Sequence, residues 1–321
     1  MEASEVVVVE SKRTKRRGRY VREKDMSGML QPTGRQWRLL RWLAAYRILS
    51  VPQIALLAGR RPHTVLQQLR GLFDAGLIEV VPANRSTLSR TEEPDDASLL
   101  FGSAPNIYVP TRRGLTMLLE RGLIREEEAQ RPGYTFGPRS SIALPHTLFI
   151  RDVRIWLERT KASYGGDHQV VRWHDGGDAK LDLRRTEAPL RVEPDAWFIY
   201  QFQGGKIPRV LVGFVECDRG TERGSQRWHE KLRSYRLLLN GQRLKEITGY
   251  ERARVLVLTL DSGRRDQLQE VIKEFDQANN LGGSFAERFW LADKTALTQE
   301  GFASVCWSNP GTPSLRSFLD L

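Results

Sequence analysis

Cysteine is nearly missing from this chain: Cys217 and Cys306 are its only two in 321 residues. That excludes a disulfide framework and a zinc ribbon, and it suits a reducing intracellular setting. Long apolar runs are missing too. None approaches the roughly 18 residues that a membrane span needs. The opening "MEASEVVVVESK" pairs too short an apolar run with an acidic flank for a signal peptide. A cytoplasmic protein with no membrane partner is therefore expected. The five histidines are scattered, and His168, His174 and His229 show no ligand spacing with the cysteines. Without a three-histidine cluster, the metal centre of relaxases that use a tyrosine nucleophile has no basis here. No GxxxxGK[ST] cradle argues for an ATPase. No Gly-x-Ser-x-Gly elbow argues for a serine hydrolase.

Negative charge is also in deficit. Fifty Lys and Arg against 39 Asp and Glu leave a formal net charge of +11. Such a surface attracts polyanions, and DNA is the expected partner. The excess is dense in "SKRTKRRGRYVREKD", residues 11–25, which has almost no apolar content. Residues 1–30 read as a solvated basic arm, with Lys15, Arg16 and Arg17 as phosphate contacts that raise affinity without choosing sequence.

Ordered structure is expected from residue 31 onward. "TGRQWRLLRWLAAYRIL" sets Trp37, Leu40, Leu43 and Ala44 on one helical stripe behind a Thr33 N-cap. "SVPQIALLAG" offers Ser50 as N-cap, Pro52 in the first turn and Gly59 as the stop. "RPHTVLQQLRGLFDAGLIEVVP" gives a third helix leading into a strand, and "NIYVPT", 106–111, gives the returning strand. Three short helices and a strand pair, closed by the helix "RRGLTMLLERGL", spell a winged helix-turn-helix over 31–124. The polar stretch between the strands reads as a long mobile wing. The third helix of such domains enters the major groove. Here its exposed positions would be Arg60, Arg61, His63, Thr64, Gln67, Gln68 and Arg70, although winged helices also serve protein contacts. Many of them form homodimers, which admits a second copy of the chain as a partner.

Residues 125–145, charged and then Pro/Gly/Ser-rich, read as a linker. From 146 to 321, apolar runs alternate with helical patterns. That predicts an α/β domain with a mixed central sheet. The helix "HTLFIRDVRIWLERT" opens it, with His146 read as a capping or packing residue. "AERFWLAD" and "FASVCWSNP" read as terminal strands, with Trp290 and Trp307 as core or edge anchors.

The chemistry gathers in "FVECDRGTERG", Phe214 to Gly224. Strand residues alternate faces, so Glu216 and Asp218 share one side. Upstream, "VEPDAWFIYQ" starts a strand at Asp195, and a hairpin-like connection brings that start beside the end of the next strand. Three carboxylates at one sheet edge repel each other unless a cation sits among them, and oxygen ligands favour Mg²⁺ or Mn²⁺. Asp195, Glu216 and Asp218 are thus the candidate metal ligands. In "KLRSY", Lys231 and Tyr235 lie i, i+4 on one face of the following helix. Asp195, Glu216, Asp218 and Lys231 form a candidate phosphodiesterase centre, with Tyr235 positioning beside it.

At these residues the sequence resembles the PD-(D/E)xK nuclease superfamily, which shares a restriction-endonuclease-like α/β fold. "EPD", 193–195, and "ECD", 216–218, match its acidic parts, but Asp218 stands where the superfamily's lysine is expected. Some members move that lysine to the next helix, where Lys231 and Tyr235 sit here. The resemblance also implies an acid on the first helix, Asp152 or, less well placed, Glu158. More specifically, "HTLFIRDV", "PDAWFIY", "FVECDRGTE" and "KLRSY" behind a winged helix resemble the replication-relaxation family of plasmids, phages and other mobile elements. That likeness runs from about Thr33 to about Thr259 and implies a role in replication and DNA relaxation. Two readings stay open: a Mg²⁺-dependent DNA endonuclease that nicks or cuts, or a non-catalytic adaptor or regulator of replication or transcription. The second would pair a degenerate nuclease fold with a replication or transposition protein.

Overall fold

A computed structural model describes residues 21–22, 31–81, 83, 106–130, 138–164, 168–182, 191–203, 208–220, 226–239 and 242–320. Lys15, Arg16, Arg17 and nearly all of the wing between the two strands fall outside these residues.

The N-terminal unit is built as its local signals dictate. Thr33 and Gln36 close a reciprocal capping box at the start of α1 (Gly34–Tyr46). Ser50 and Gln53 do the same for α2 (Val51–Ala58), which ends at Gly59 in the left-handed region, φ 58°. Helix α3 (Pro62–Asp74) follows. Strands β2 (Ile78–Val81) and β3 (Ile107–Pro110) pair antiparallel, and the two-residue β1 (Leu49–Ser50) adds to the free side of β3. Helix α4 (Arg112–Glu120) packs behind them. Leu40, Leu43, Ile54, Leu69, Leu72 and Leu118 make the core.

The expected linker is more ordered than its composition suggested. It contains α5 (Glu126–Gln130) and the first turns of the 27-residue α6 (Pro138–Tyr164), with Pro145 inside the helix. Helix α6 serves two cores. Ile155 is buried among the winged-helix residues, whereas Phe149, Val153, Trp156 and Leu157 pack on the second sheet. Arg154 donates to the Ala45 carbonyl at 2.9 Å, Arg159 to that of Leu56 at 3.2 Å, and Gln53 to that of Leu148 at 2.8 Å. The two units are thus joined along this helix.

The second unit is a seven-stranded mixed sheet, ordered β12-β11-β10-β9-β8-β7-β4. Strands β4 (His168–Asp175), β7 (Ala196–Gln203) and β8 (Pro208–Asp218) run antiparallel to their neighbours in turn. Strands β8, β9 (Arg254–Thr259) and β10 (Phe289–Asp293) are parallel. Strands β11 (Val305–Asn309) and β12 (Thr312–Ser317) return antiparallel. Between β4 and β7 the chain forms a small hairpin, β5 (Leu181–Asp182) with β6 (Arg191–Val192). Helices α7 (Gln226–Leu239), α8 (Gln242–Thr248) and α9 (Ser262–Ala278) cover one face around Phe214, Trp228, Leu232 and Tyr235. Helices α6 and α10 (Lys294–Glu300) lie over the other, around Phe198, Val215, Leu258 and Trp307.

The fold class expected from the sequence holds. Trp290 and Trp307 are core anchors, both nearly inaccessible. "AERFWLAD" is an inner strand, β10, and the C-terminal "GTPSLRSFLDL", which carried no reading, supplies the edge strand β12. No helix among the described residues is long and apolar enough to cross a membrane.

One glycine is required by packing. Gly213 pairs across the ladder with Phe198, and a Cβ added there would meet the Phe198 ring at 2.5 Å. Overpacking of this kind is costly. Gly213→Ala should lower unfolding free energy by about 2 kcal/mol, read as a shift in denaturant midpoint; an unchanged midpoint would mean the ring swings aside freely.

Candidate active centre and DNA-facing surface

The centre grows out of strand register. Ala196 pairs with Val215, and the Asp195 amide donates to the Val215 carbonyl at 3.0 Å. Continuing that register by one residue sets Asp195 across from Glu216, on the face covered by α7. The hairpin geometry expected from the sequence therefore brings these two acids together.

Each acid is held by specific donors. Asp195 Oδ2 accepts from the Cys217 amide at 2.7 Å, and Oδ1 lies 2.8 Å from His146 Nε2. A carboxylate only accepts, so this contact puts the imidazole proton on Nε2. Glu216 Oε1 accepts from the Tyr235 hydroxyl at 2.7 Å, and Oε2 is ion-paired with the Lys231 ammonium. The i, i+4 spacing of "KLRSY" thus delivers both side chains to one carboxylate. The Glu216 side chain is 2% exposed and that of Lys231 is 32%, so the carboxylate is sealed in while the lysine side chain reaches partly to solvent.

The electrostatics follow from that asymmetry. Burial pushes the Glu216 carboxyl above the usual range, and Lys231 only partly offsets this. Burial works against the Lys231 charge as well, but Glu216 and Asp195 outweigh it and hold the ammonium above its ordinary value. Burial, reinforced by Glu216, raises Tyr235 well above a normal phenol. Lys231 is therefore a fixed positive charge and Tyr235 a neutral donor; neither is poised as a base or nucleophile near neutral pH. Burial likewise raises Cys217, followed by the charges of Asp195 and Glu216, which leaves that thiol unreactive.

Asp218 shares the face of Glu216 but not its pocket. Arg264, from the first turn of α9, grips it with Nε at 3.0 Å and a second nitrogen at 3.1 Å. The Trp228 indole and the Gly220 amide each donate to it at 2.7 Å. Burial alone would raise this carboxyl, yet these donors hold it below the usual range. The expected third ligand is instead a clamp that ties the end of β8 to α7 and α9. Asp152 is also engaged elsewhere. It accepts from Gln53 at 2.7 Å, lies 3.5 Å from Lys294, and is raised chiefly by burial. It holds the junction between the two units, while its charge still reaches Cys217, the neighbour of Glu216. Glu158 is half-buried on the same helix.

His146 is the residue that sequence reasoning undervalued. From the sequence it reads as a capping or packing residue, yet it touches the acid at the heart of the centre. The signal was its place early in the helix that precedes the acidic strands. Arg264 was missed for want of any local cue.

These contacts decide what the acids can hold. Among the described residues, no group of three or more His, Cys, Asp or Glu side chains is arranged to bind a metal ion. A three-carboxylate cage is therefore absent there. Mg²⁺ does not require one, since it is commonly held by one or two carboxylates, waters and substrate phosphates. Asp195 and Glu216 supply two such oxygens ligands side by side, and Lys231 already shows that the pair draws in positive charge. The donor set fits a hard divalent cation in that limited sense.

On the winged helix, Arg60, Arg61, His63, Thr64 and Gln67 are exposed along the start and outer face of α3. Gln68 is half-buried, its carbonyl accepting from Gln36 at 3.4 Å. Arg70 is also half-buried: it pairs with Asp74 at 3.2 Å and lies over the Phe73 ring at 5.3 Å. These two positions belong partly to the helix's own packing, so the open surface is narrower than the sequence suggested. Arg22 donates to the Phe73 and Ile78 carbonyls at 3.1 and 3.4 Å, which seats that end of the basic arm beside α3.

A family model described as replication-relaxation matches residues 40–250, well over half of the chain and inside the span of the expected likeness. No curated protein and no solved structure matches.

Proposed function

The chain belongs to the replication-relaxation family, and from that premise we propose that it binds duplex DNA and breaks one of its strands at the Asp195–Glu216–Lys231 centre. The family's role lies in replication and DNA relaxation. Releasing supercoils from a closed duplex requires at least one strand break, so a phosphodiester-cutting centre suits that role. The observation that carries the reading is the convergence on Glu216. Asp195, Lys231 and Tyr235 meet Glu216 at one strand end, where the Lys231 side chain is 32% exposed.

Asp195 and Glu216 are the residues that would hold Mg²⁺ or Mn²⁺, which when bound would polarise a phosphoryl oxygen and activate water. The remaining roles rest on this chain's own side chains. The Lys231 ammonium, kept protonated, neutralises charge building on a phosphate at the mouth of the site. Tyr235 fixes the orientation of Glu216, and the Cys217 amide with His146 fixes that of Asp195. Exposed Arg60, Arg61, His63, Thr64 and Gln67 bring the duplex to the protein, and the basic arm with Lys15, Arg16 and Arg17 adds phosphate contacts. A plasmid, phage or other mobile element is the natural source of such DNA.

A second reading has its own observation. With Asp218 consumed by Arg264 and every oxygen of Asp195 and Glu216 already contacted, the domain also suits a non-catalytic adaptor for a replication or transposition partner. One experiment separates the two. Purified full-length chain is incubated with supercoiled plasmid and Mg²⁺ or Mn²⁺, and separately with EDTA. The nuclease reading expects open circles in the cation reactions and none in a parallel reaction set up in EDTA. Intact DNA binding with no conversion in any cation would leave the adaptor.

A further inference from the structure

At the strand end where the acids gather, each carboxylate has its donors: His146 and the Cys217 amide for Asp195, Lys231 and Tyr235 for Glu216, and Arg264, Trp228 and the Gly220 amide for Asp218. One cation in the same segment is left over. Arg219, which directly follows Asp218, is half-buried, and its Nε is shut off from solvent with no hydrogen-bond partner. Its other nitrogens likewise have no partner among the described residues. Arg151, Arg154 and Arg243 also bury an Nε without a partner, but each anchors another nitrogen to a carboxylate or carbonyl. Arg219 has no such anchor.

A buried donor left unmade is costly, and a charged one more so. Burial pushes this guanidinium below its ordinary value, which marks the strain of holding the charge there. The group stays protonated at neutral pH all the same. With the strand-end carboxylates among the described residues all engaged, an acceptor brought by a ligand suits this guanidinium. The planar fork of an arginine matches the two free oxygens of a phosphodiester, and phosphate is the anion that a basic winged-helix protein meets most often.

We propose that Arg219 is an anion-binding residue of this centre and grips a backbone phosphate of the bound DNA strand. The proposal rests on the reading of this domain as DNA-facing, but it does not require strand scission. Placed one residue beyond the clamp of Asp218 and Arg264, the guanidinium fixes where the strand runs relative to Lys231.

The test is a binding series with the full chain and a duplex oligonucleotide in EDTA, so that catalysis plays no part. Arg219→Gln should weaken binding about tenfold, the size of one charge-assisted contact. The slope of log affinity against log salt should flatten by about one. Arg219→Lys should keep the slope and recover part of the affinity. Because the side chain has no partner among the described residues, the thermal midpoint of Arg219→Gln should match or exceed that of wild type. Unchanged affinity and slope in Arg219→Gln would overturn the proposal, and so would a marked fall in its melting point, which would reveal an internal partner. A flattened slope in a protein that never nicks plasmid would remove the nuclease reading and leave this one standing.

Discussion

Chain carrying Asp195→Ala with Glu216→Ala should convert supercoiled plasmid to open circles at least about a thousandfold more slowly than wild type, a loss of about 4 kcal/mol in barrier terms. The size follows from what the pair supplies: the two oxygens ligands for a divalent cation, and the charge that keeps Lys231 protonated and in place. Alanine at 216 also strips the partners from Lys231 and from the buried Tyr235 hydroxyl, so the melt of the variant has to accompany the assay. Asp195→Asn is the cleaner member. An amide oxygen can still accept from the Cys217 amide, and the amide NH2 can donate to His146 Nε2 once that ring carries its proton on Nδ1, so the strand end keeps its shape while the ligand charge is gone. It should show nearly the full loss at an unchanged melting point. Asp218→Asn should behave in the opposite way, with the Arg264 clamp weakened, stability lowered, and scission per folded molecule largely retained. Equal product from wild type and the double variant would end the enzymatic reading.

That contrast between two acids one residue apart marks where sequence stops being informative. Alternation along β8 put Glu216 and Asp218 on one face, and the hairpin put Asp195 across from Glu216; both depend on short-range geometry and both hold. Lys231 and Tyr235 followed from helical spacing. What separates Asp218 from Glu216 is Arg264, reached through a parallel strand and the first turn of the next helix. No period or motif connects those positions, because crossover packing fixes the contact. Asp152 is the same case in reverse. Its place on the first helix suggested the active centre, but that helix is shared between two cores, and the side chain meets Gln53 of the winged unit instead. The stretch expected to be a linker holds helices for a related reason. Composition saw Pro, Gly and Ser, whereas α6 begins at Pro138 and carries on through Pro145. Leu144 packs against Ile48, Val81, Ile107 and Val109, so burial against the wing strands favours a helix that local propensity argues against.

Lys231→Met should destabilise the protein by about 3 kcal/mol near pH 8, and by far less near pH 4. Removing the ammonium leaves Glu216 buried with only the Tyr235 hydroxyl for company, and breaking one side of a buried ion pair typically costs this much. Methionine keeps most of the side-chain volume, so lost packing against the Trp228 ring is small. The pH dependence follows from linkage. Burial already holds Glu216 above the ordinary carboxylate range, and without Lys231, the largest influence lowering it, its pKa rises further. A group whose folded value is raised contributes stability that is full below its unfolded value and is lost as pH climbs through the folded one. The penalty should therefore open only above the wild-type folded value, which already lies above the ordinary glutamate range, and widen upward. Asp218, held low by Arg264, and Asp175, held low by Arg151, work the other way, losing their contribution at acid pH. They do so equally in wild type and variant, so the difference between the two urea midpoints isolates Glu216. Adding Glu216→Gln to Lys231→Met should recover most of the loss at pH 8, because a neutral amide needs no counter-ion and still accepts from Tyr235. A penalty that stays constant between pH 4 and 8, or a double variant no better than the single, would mean that the ammonium matters for packing and not for charge.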